Sequence, residues 1–224
     1  MRKVLGFILQ TVNVGLVFNA DRTSKVPAEW RIDVSVDASH YIPWCQSGMV
    51  VTLSPVAAEP TDLVPHFLPI DWTSSGQEYI KLAPAESETV GVVQAARGGL
   101  RYKHSWDDVC GVAEPQQMMV RVDNTQAIAF AERGWSPSMM HLPRVYGVNV
   151  LWVTERLREG LMYIVKEPTK VMLADPLTKL MNPQVYHDRG ILTRFAWEAE
   201  KPEAKIHAVL RNILFWTNLG PPSS

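Results

Sequence analysis

The sequence lacks the features of a disulfide-rich or strongly basic protein. Only two cysteines, Cys45 and Cys110, occur among its 224 residues. Neither has a second cysteine or a histidine at metal-ligand spacing, which argues against a zinc site and a disulfide framework. A reducing compartment is therefore the default. The formal net charge is −1 and there is no strongly basic block, so any contact with phosphate groups must come from local clusters.

Long apolar runs, internal repeats and low-complexity tracts are also missing. No stretch is long enough to span a membrane. The N-terminus is basic and then apolar, like a signal peptide, but Gln10, Thr11 and Asn13 interrupt the apolar run early, which predicts a protein that is not secreted. With 46% hydrophobic residues, the chain has room for one well-buried domain with appendages.

The first third of the chain contains three candidate strands. Residues 31–37 alternate with a period of two, which puts apolar side chains on one face and the acids Asp33 and Asp37 on the other. Residues 47–53 and 70–75 predict two further strands, joined by a long proline-rich loop.

A helix is predicted over residues 84–100, with proline at its first position. Glu88 shares an apolar stripe with Val92 and would face the sheet. Glu86 also lies beside an apolar residue, Val90, so helical geometry alone does not choose between the two acids. An alternative for Glu86 is an acid in the first turn that complements the helix dipole.

The second half of the chain predicts further strands and helices. Residues 118–123 form an apolar strand that ends in Asp123, and an acid at the carboxyl end of a strand is a usual site position in α/β folds. The alternative is that Asp123 or Asn124 caps the helix that follows. One long helix is predicted over residues 145–159 and a last strand over residues 161–165.

Asp175 lies between Leu173 and Leu177, which are four residues apart and would both point inward. A carboxylate held among such residues needs a cation. This stretch, Ala-Asp-x-Leu-Thr-Lys, resembles the closing motif of the ribonuclease H domain of copia-type retrotransposon polyproteins. Other motifs of that family occur in the same order: Asp37-Ala38, Ser47-Gly48, Trp72-x-Ser74-x-x-Gln77, Ala85-Glu86-x-Glu88 and Asp123-Asn124-x-x-Ala127-Ile128.

The resemblance implies an α/β fold, a ribonuclease H-like mixed five-stranded sheet flanked by helices. It divides the chain into residues 1–28, a lead-in that resembles the end of a reverse transcriptase, residues 29–182, the ribonuclease H-like domain, and residues 183–224, an extension with one amphipathic helix. The implied partners are an RNA–DNA hybrid and the reverse transcriptase portion of the same polyprotein, with no membrane. The implied location is the cytoplasm, in a virus-like particle, or the nucleus.

The resemblance also implies a site. Its catalytic and metal-binding residues would be Asp37, Glu88, Asp123 and Asp175, with Asp33 less favoured than Asp37. Like charges that converge raise one another's pKa, and divalent cations relieve this repulsion. Oxygen ligands suit Mg²⁺ or Mn²⁺, and a pair of ions roughly 3.5 to 4 Å apart can promote phosphodiester hydrolysis. Candidate substrate contacts are Asn124, Gln126, Ser87, Arg97 and Lys103; a solvated helix end is the alternative for the two basic residues.

Two departures from the family keep alternatives open. The His-Ile-Asp that precedes the second long helix in many members is missing, and His141, nearby but out of register, is interpreted as a surface histidine. The basic run between the first two strands is also missing. The leading function is a metal-dependent endonuclease that hydrolyses the RNA strand of RNA–DNA hybrids in retrotransposon reverse transcription. The alternatives are a catalytically inactive, retrotransposon-derived binding or assembly module and a different nuclease or integrase of the same fold.

Overall fold

A computed structural model describes residues 29–41, 44–56, 68–78, 83–111 and 115–179. In this part of the chain, five strands form one sheet: β1 (Trp30–Tyr41), β2 (Trp44–Pro55), β3 (Leu68–Gly76), β4 (Met118–Val122) and β5 (Met162–Lys166). The strand order is β3-β2-β1-β4-β5. The predicted lead-in over residues 1–28 and the predicted extension over residues 183–224 lie outside the described residues.

Five helices connect and flank these strands within the described part: α1 (Pro84–Cys110), α2 (Thr125–Arg133), α3 (Leu142–Tyr146), α4 (Val150–Arg158) and α5 (Asp175–Thr178). Two short 3₁₀ turns lie at Pro137–Met139 and Thr169–Val171. None of the described helices is long and apolar enough to cross a lipid bilayer.

The sheet is mixed. β1 pairs antiparallel with β2, and β2 antiparallel with β3. β1 pairs parallel with β4, and β4 parallel with β5. Val36 lies opposite Val122 in the parallel β1–β4 pair. Asp37 and Asp123 are the next residues in the two neighbouring segments, so they lie toward the same end of the sheet. The sheet and its helices confirm the predicted α/β class with a mixed five-stranded sheet flanked by helices.

Helix α1 packs closely on β1. Ile32, Val34 and Val36 are buried on the face of β1 that the alternating pattern predicted to be apolar. A Cβ atom added at Gly99 would lie 2.5 Å from both Met118 Sδ and Val34 Cγ2. Only glycine permits this approach. Because the helix runs so near the sheet, a side chain in its first turns can reach the carboxyl end of β1.

Several element boundaries differ from the predicted ones. β1 and β2 are longer than expected, and α1 continues ten residues beyond the predicted end at Leu100, to Cys110. The prediction of one long helix over residues 145–159 is wrong. Gly147, with φ of 63°, ends α3, and the side chain of Asn149 caps the start of α4. A left-handed glycine followed by a capping residue divides the segment into two helices.

Candidate metal centre

Three carboxylates meet at the carboxyl ends of the central strands. Asp37 comes from β1, Glu88 from the beginning of α1, and Asp123 from the residue directly after β4. One oxygen atom from each lies within 4.8 Å of the other two. Asp37 and Glu88 are 1% and 8% exposed, whereas Asp123 is half-buried. The sequence named all three residues, and the structure brings them together from sites up to 86 positions apart.

The electrostatics of this cluster are unfavourable without a cation. Burial and the neighbouring charges of Asp37 and Asp123 raise the pKa of Glu88 to about 8. Burial likewise raises the pKa of Asp37 above its usual range, even though Thr178 and Lys179 act in the opposite direction. The buried Oε2 atom of Glu88 has no hydrogen-bond partner among the described residues. A buried carboxylate oxygen without a partner is costly unless a cation completes its surroundings.

These residues fit a hard divalent cation. Three carboxylates offer only oxygen ligands, which Mg²⁺ and Mn²⁺ prefer over the nitrogen and sulfur ligands typical of zinc. A divalent ion would supply the partner that Glu88 Oε2 lacks and would favour the ionised form of the carboxylates. The cluster formed by Asp37, Glu88 and Asp123 is called the carboxylate cluster below.

Asp175 is linked to the carboxylate cluster by Lys179, whose ammonium group contacts both Asp175 and Asp37. Its side chain, only 1% exposed at the start of α5, accepts a hydrogen bond from Lys179 Nζ at 2.7 Å. The same Nζ atom lies 3.1 Å from Asp37 Oδ1, and Thr178 Oγ1 donates to Asp37 Oδ2. The cation that the sequence required beside Asp175 is therefore the ammonium group of Lys179 in this structure. Burial alone lowers the pKa of Lys179, but the hydrogen bonds and charges of Asp175 and Asp37 outweigh it and raise the pKa.

A groove of about 830 Å³ opens beside the carboxylate cluster. Its lining includes Glu88 and the polar strand residues Ser39, His40, Gln46 and Ser74, together with Ala38 and the α5 segment from Pro176 to Lys179. The sequence interpretation did not include His40. In an alternating strand, a residue three positions after Asp37 is expected on the opposite face, so the sequence pattern gave no signal for His40.

The predicted helix cap is realised by Asn124. Its Oδ1 atom accepts hydrogen bonds from the backbone amides of Gln126, at 2.9 Å, and Ala127, at 3.2 Å. Capping by Asn124 leaves the Asp123 carboxylate to the cluster, where Oδ2 accepts a hydrogen bond from Thr169 Oγ1 at 3.1 Å. Gln126 is exposed in the first turn of α2.

Of the other predicted substrate contacts, Ser87 and Lys103 are buried and Arg97 is exposed. Ser87 is fully buried, and its hydroxyl lies 3.4 Å from His40 Nδ1. Lys103 is 5% exposed and pairs with Asp107. Both placements speak against direct contact with a substrate, because the polar groups face the protein interior. Arg97 is exposed on α1.

Glu86 and His141 contact each other, which the sequence did not predict. Glu86 is 4% exposed, and its Oε1 atom lies 3.1 Å from His141 Nε2. Tyr146 donates a hydrogen bond to Oε2 of the same carboxylate at 3.4 Å. His141 lies at the surface, with 34% of its side chain exposed, and also packs against Glu86 and Tyr146. Through these contacts, α3 and the residue before it pack against Glu86 in the first turn of α1. Glu86 lies two residues before Glu88.

Asp33 is held by two arginines. Its carboxylate lies 2.8 Å from Arg31 Nε and 3.0 Å from Arg121 Nη2, and Arg121 also reaches Glu167 at 3.6 Å. All four side chains are buried. The arginines neutralise Asp33, which lies four residues before Asp37 on the same face of β1, so this acid has a structural partner already. The signal for this network was an arginine inside the apolar strand 118–123.

Of three comparisons with known proteins, only the one with solved structures found similar proteins. No protein-family model matches the sequence. No curated protein matches it with significance either. Among solved structures, the chain resembles LC11-RNase H1 in complex with an RNA/DNA hybrid, with 12% identity, a TM-score of 0.42, and coverage of 66% of this chain and 93% of that one.

Two more ribonucleases H are similar to the same degree. RNase H1 of the halophilic archaeon Halobacterium salinarum NRC-1 has 12% identity, a TM-score of 0.39, and coverage of 66% of this chain and 93% of that chain. The N-terminal RNase H domain of rv2228c from Mycobacterium tuberculosis, solved as a fusion with maltose binding protein, has 10% identity, a TM-score of 0.41, and coverage of 71% and 96%. All three TM-scores are below 0.5.

Proposed function

We propose that this chain is a metal-dependent ribonuclease H that hydrolyses the RNA strand of RNA–DNA hybrids. The observation that carries the proposal is the carboxylate cluster, in which Asp37, Glu88 and Asp123 each offer an oxygen within 4.8 Å of the others. The order of the motifs along the sequence supports it, since these acids occur in the order of the copia-type ribonuclease H domain. The strand order β3-β2-β1-β4-β5 places two of the acids at one edge of the sheet.

Each acid has a distinct part in the proposed site. Asp37, Glu88 and Asp123 hold Mg²⁺ or Mn²⁺, and Asp175 contributes its charge from the side of Asp37. When bound, the metal promotes attack of water on the phosphodiester and stabilises the leaving oxygen. Thr169 orients the Asp123 carboxylate through its hydrogen bond, and Asn124 fixes the end of β4 by capping α2.

The groove beside the carboxylate cluster is the proposed binding surface for the hybrid. Its walls present hydroxyl, amide and imidazole groups from Ser39, Gln46, Ser74 and His40. Polar donors and acceptors of this kind can contact the 2′-hydroxyl groups that distinguish RNA from DNA. The retrotransposon origin, and a reverse transcriptase portion as partner, belong to the same proposal and depend on the sequence resemblance.

The test is cleavage of a labelled RNA–DNA hybrid by the purified chain with Mg²⁺, with Mn²⁺ and with a chelator, beside Asp123→Asn. We expect metal-dependent cleavage of the RNA strand alone, reduced to background by the substitution, because one ligand charge is removed while the shape is kept. Cleavage that persists in Asp123→Asn or in chelator would contradict the assignment. A folded protein that binds the hybrid without cutting it would instead favour the inactive binding module.

A further inference from the structure

Asp37 is the member of the carboxylate cluster whose two oxygens are both already in use. Oδ1 lies 3.1 Å from Lys179 Nζ, and Oδ2 accepts the hydrogen bond from Thr178. Glu88 differs, since its Oε2 atom has no partner among the described residues. A metal ion that approaches the cluster therefore finds an oxygen without a hydrogen bond in Glu88, whereas at Asp37 it meets oxygens that already accept from Lys179 and Thr178.

Lys179 is placed as a divalent cation would be. Its ammonium group bridges Asp37 and Asp175, at 3.1 Å and 2.7 Å. These two carboxylates are 1% exposed, so a cation between them offsets their mutual repulsion. A divalent ion would offset it more strongly, because it carries twice the charge. The two cations repel each other, so the presence of either one weakens binding of the other to the same carboxylates.

The geometry allows the lysine side chain to leave without unfolding the segment. The backbone amide of Lys179 donates to Asp175 O at 3.0 Å, which fixes its main chain at the end of α5. The side chain itself is 42% exposed, and its flexible four-carbon stem can turn toward solvent.

We propose that Lys179 is a tethered cation that competes with a divalent metal ion for the Asp37–Asp175 side of the carboxylate cluster. The inference rests on the proposed metal-dependent function, and adds regulation of the same site. Lys179 stabilises the metal-free protein by holding two buried acids, and it weakens the first binding of metal. Metal entry on this side displaces the ammonium group into the groove that Lys179 lines, where a substrate phosphate could receive it.

The first test is calorimetric titration of the purified full chain with Mn²⁺, comparing wild type with Lys179→Met. We expect Mn²⁺ to bind at least tenfold more tightly to the variant. Lys179→Arg keeps the charge and should stay close to wild type, and Arg158→Met, which removes an exposed positive charge from the last turn of α4, should give no gain. The double variant Lys179→Met/Asp175→Asn should lose most of the gain, because the site that was freed loses a ligand.

A second measurement avoids any substitution. Labelling of wild-type lysines with an amine-reactive ester, read by mass spectrometry, should increase at Lys179 by severalfold when Mn²⁺ is added, relative to the exposed Lys166. Unchanged labelling, or equal Mn²⁺ affinity in wild type and Lys179→Met, overturns the inference while the metal site stands. Failure of every variant and the wild type to bind Mn²⁺ is a separate result, which overturns the proposed function and this inference together.

Discussion

Glu88 is a buried carboxyl group placed beside two other acids, and this placement makes the metal-free protein sensitive to pH. Its pKa is raised from 4.5 to about 8, so the folded state holds its proton more tightly than the unfolded state does. This contribution to stability is fully present below about pH 4.5 and is lost as the pH rises through about 8. A site arranged for a metal ion thus reduces stability when the metal is withheld.

We therefore predict that Glu88→Gln stabilises the metal-free protein at high pH. The amide keeps the shape and cannot ionise, and removal of the buried charge should contribute about 2 kcal/mol or more, or roughly 4 to 8 °C in melting temperature for a chain of this size. Thermal unfolding in chelator should show a difference between variant and wild type that is small near pH 4.5 and largest above pH 8. A difference that is independent of pH would contradict the role of the Glu88 charge.

The short helix α5 can lie close to the sheet because the residue beneath it on β2 is a glycine. A Cβ atom at Gly48 on β2 would lie 2.8 Å from both Leu177 Cβ and Thr178 Cγ2, and 3.0 Å from Ala174 O. Contacts below 3 Å require one element to move. The element that would move carries Thr178, whose hydroxyl donates to Asp37.

We predict that Gly48→Ala lowers cleavage of the hybrid by on the order of 10²-fold, because a displacement of about 1 Å in supporting structure has effects of that size. Single-turnover cleavage in saturating Mg²⁺ gives the measurement. The matched control is Gly76→Ala on neighbouring β3, where an added Cβ meets nothing within 4 Å, so its rate should equal that of wild type. Equal rates for the two alanine variants would show that the spacing between β2 and α5 does not matter.

Glycines also allow the long helix α1 to lie close to the sheet. The glycines on its sheet-facing side allow the close packing on β1 and β4 that brings Glu88 toward Asp37. The Glu86–His141 contact holds the other side of the same turn. The position of Glu88 is thus fixed by packing on one side and by a polar contact on the other.

The whole molecule carries a formal net charge of −1, so the proposed contacts with the phosphates of a hybrid depend on local basic residues. Arg97 and Arg101 are both exposed and line one shallow groove between α1 and β3. If the protein neutralises two or three phosphates, the logarithm of the binding constant should fall with the logarithm of the salt concentration with a slope between about −2 and −3.

We predict that Arg97→Gln makes this slope shallower by about 1, since each phosphate contact contributes roughly 0.9. Fluorescence anisotropy of a labelled hybrid, measured across NaCl concentrations with the Asp123→Asn protein to prevent cleavage, gives the slope. Arg158→Gln removes an exposed charge from α4 and should leave the slope unchanged. The same slope for the Arg97 and Arg158 variants would place the hybrid elsewhere.

Local sequence patterns predicted the existence of the five strands and the first helix, and they singled out the candidate acids. The period of two around Asp37, the apolar run before Asp123 and the apolar stripe beside Glu88 are local patterns, and local patterns specify which face of an element is buried. The resemblance to the copia-type domain then joined these acids with Asp175 into one hypothesis. That hypothesis names residues but no distances, so their roles remain a proposal.

The pairing of polar groups was not predicted and depends on how the elements pack together. The pairing of Glu86 with His141, of Asp33 with Arg31 and Arg121, and of Asp175 with Lys179 depends on elements that are far apart in the sequence or on side-chain direction. Periodicity cannot show the contacts of Glu86 with His141 and of Asp33 with Arg121, because it describes one element at a time and these join two. The division of the long helix at Gly147 was also missed, since a left-handed glycine acts through backbone geometry and leaves the apolar pattern intact.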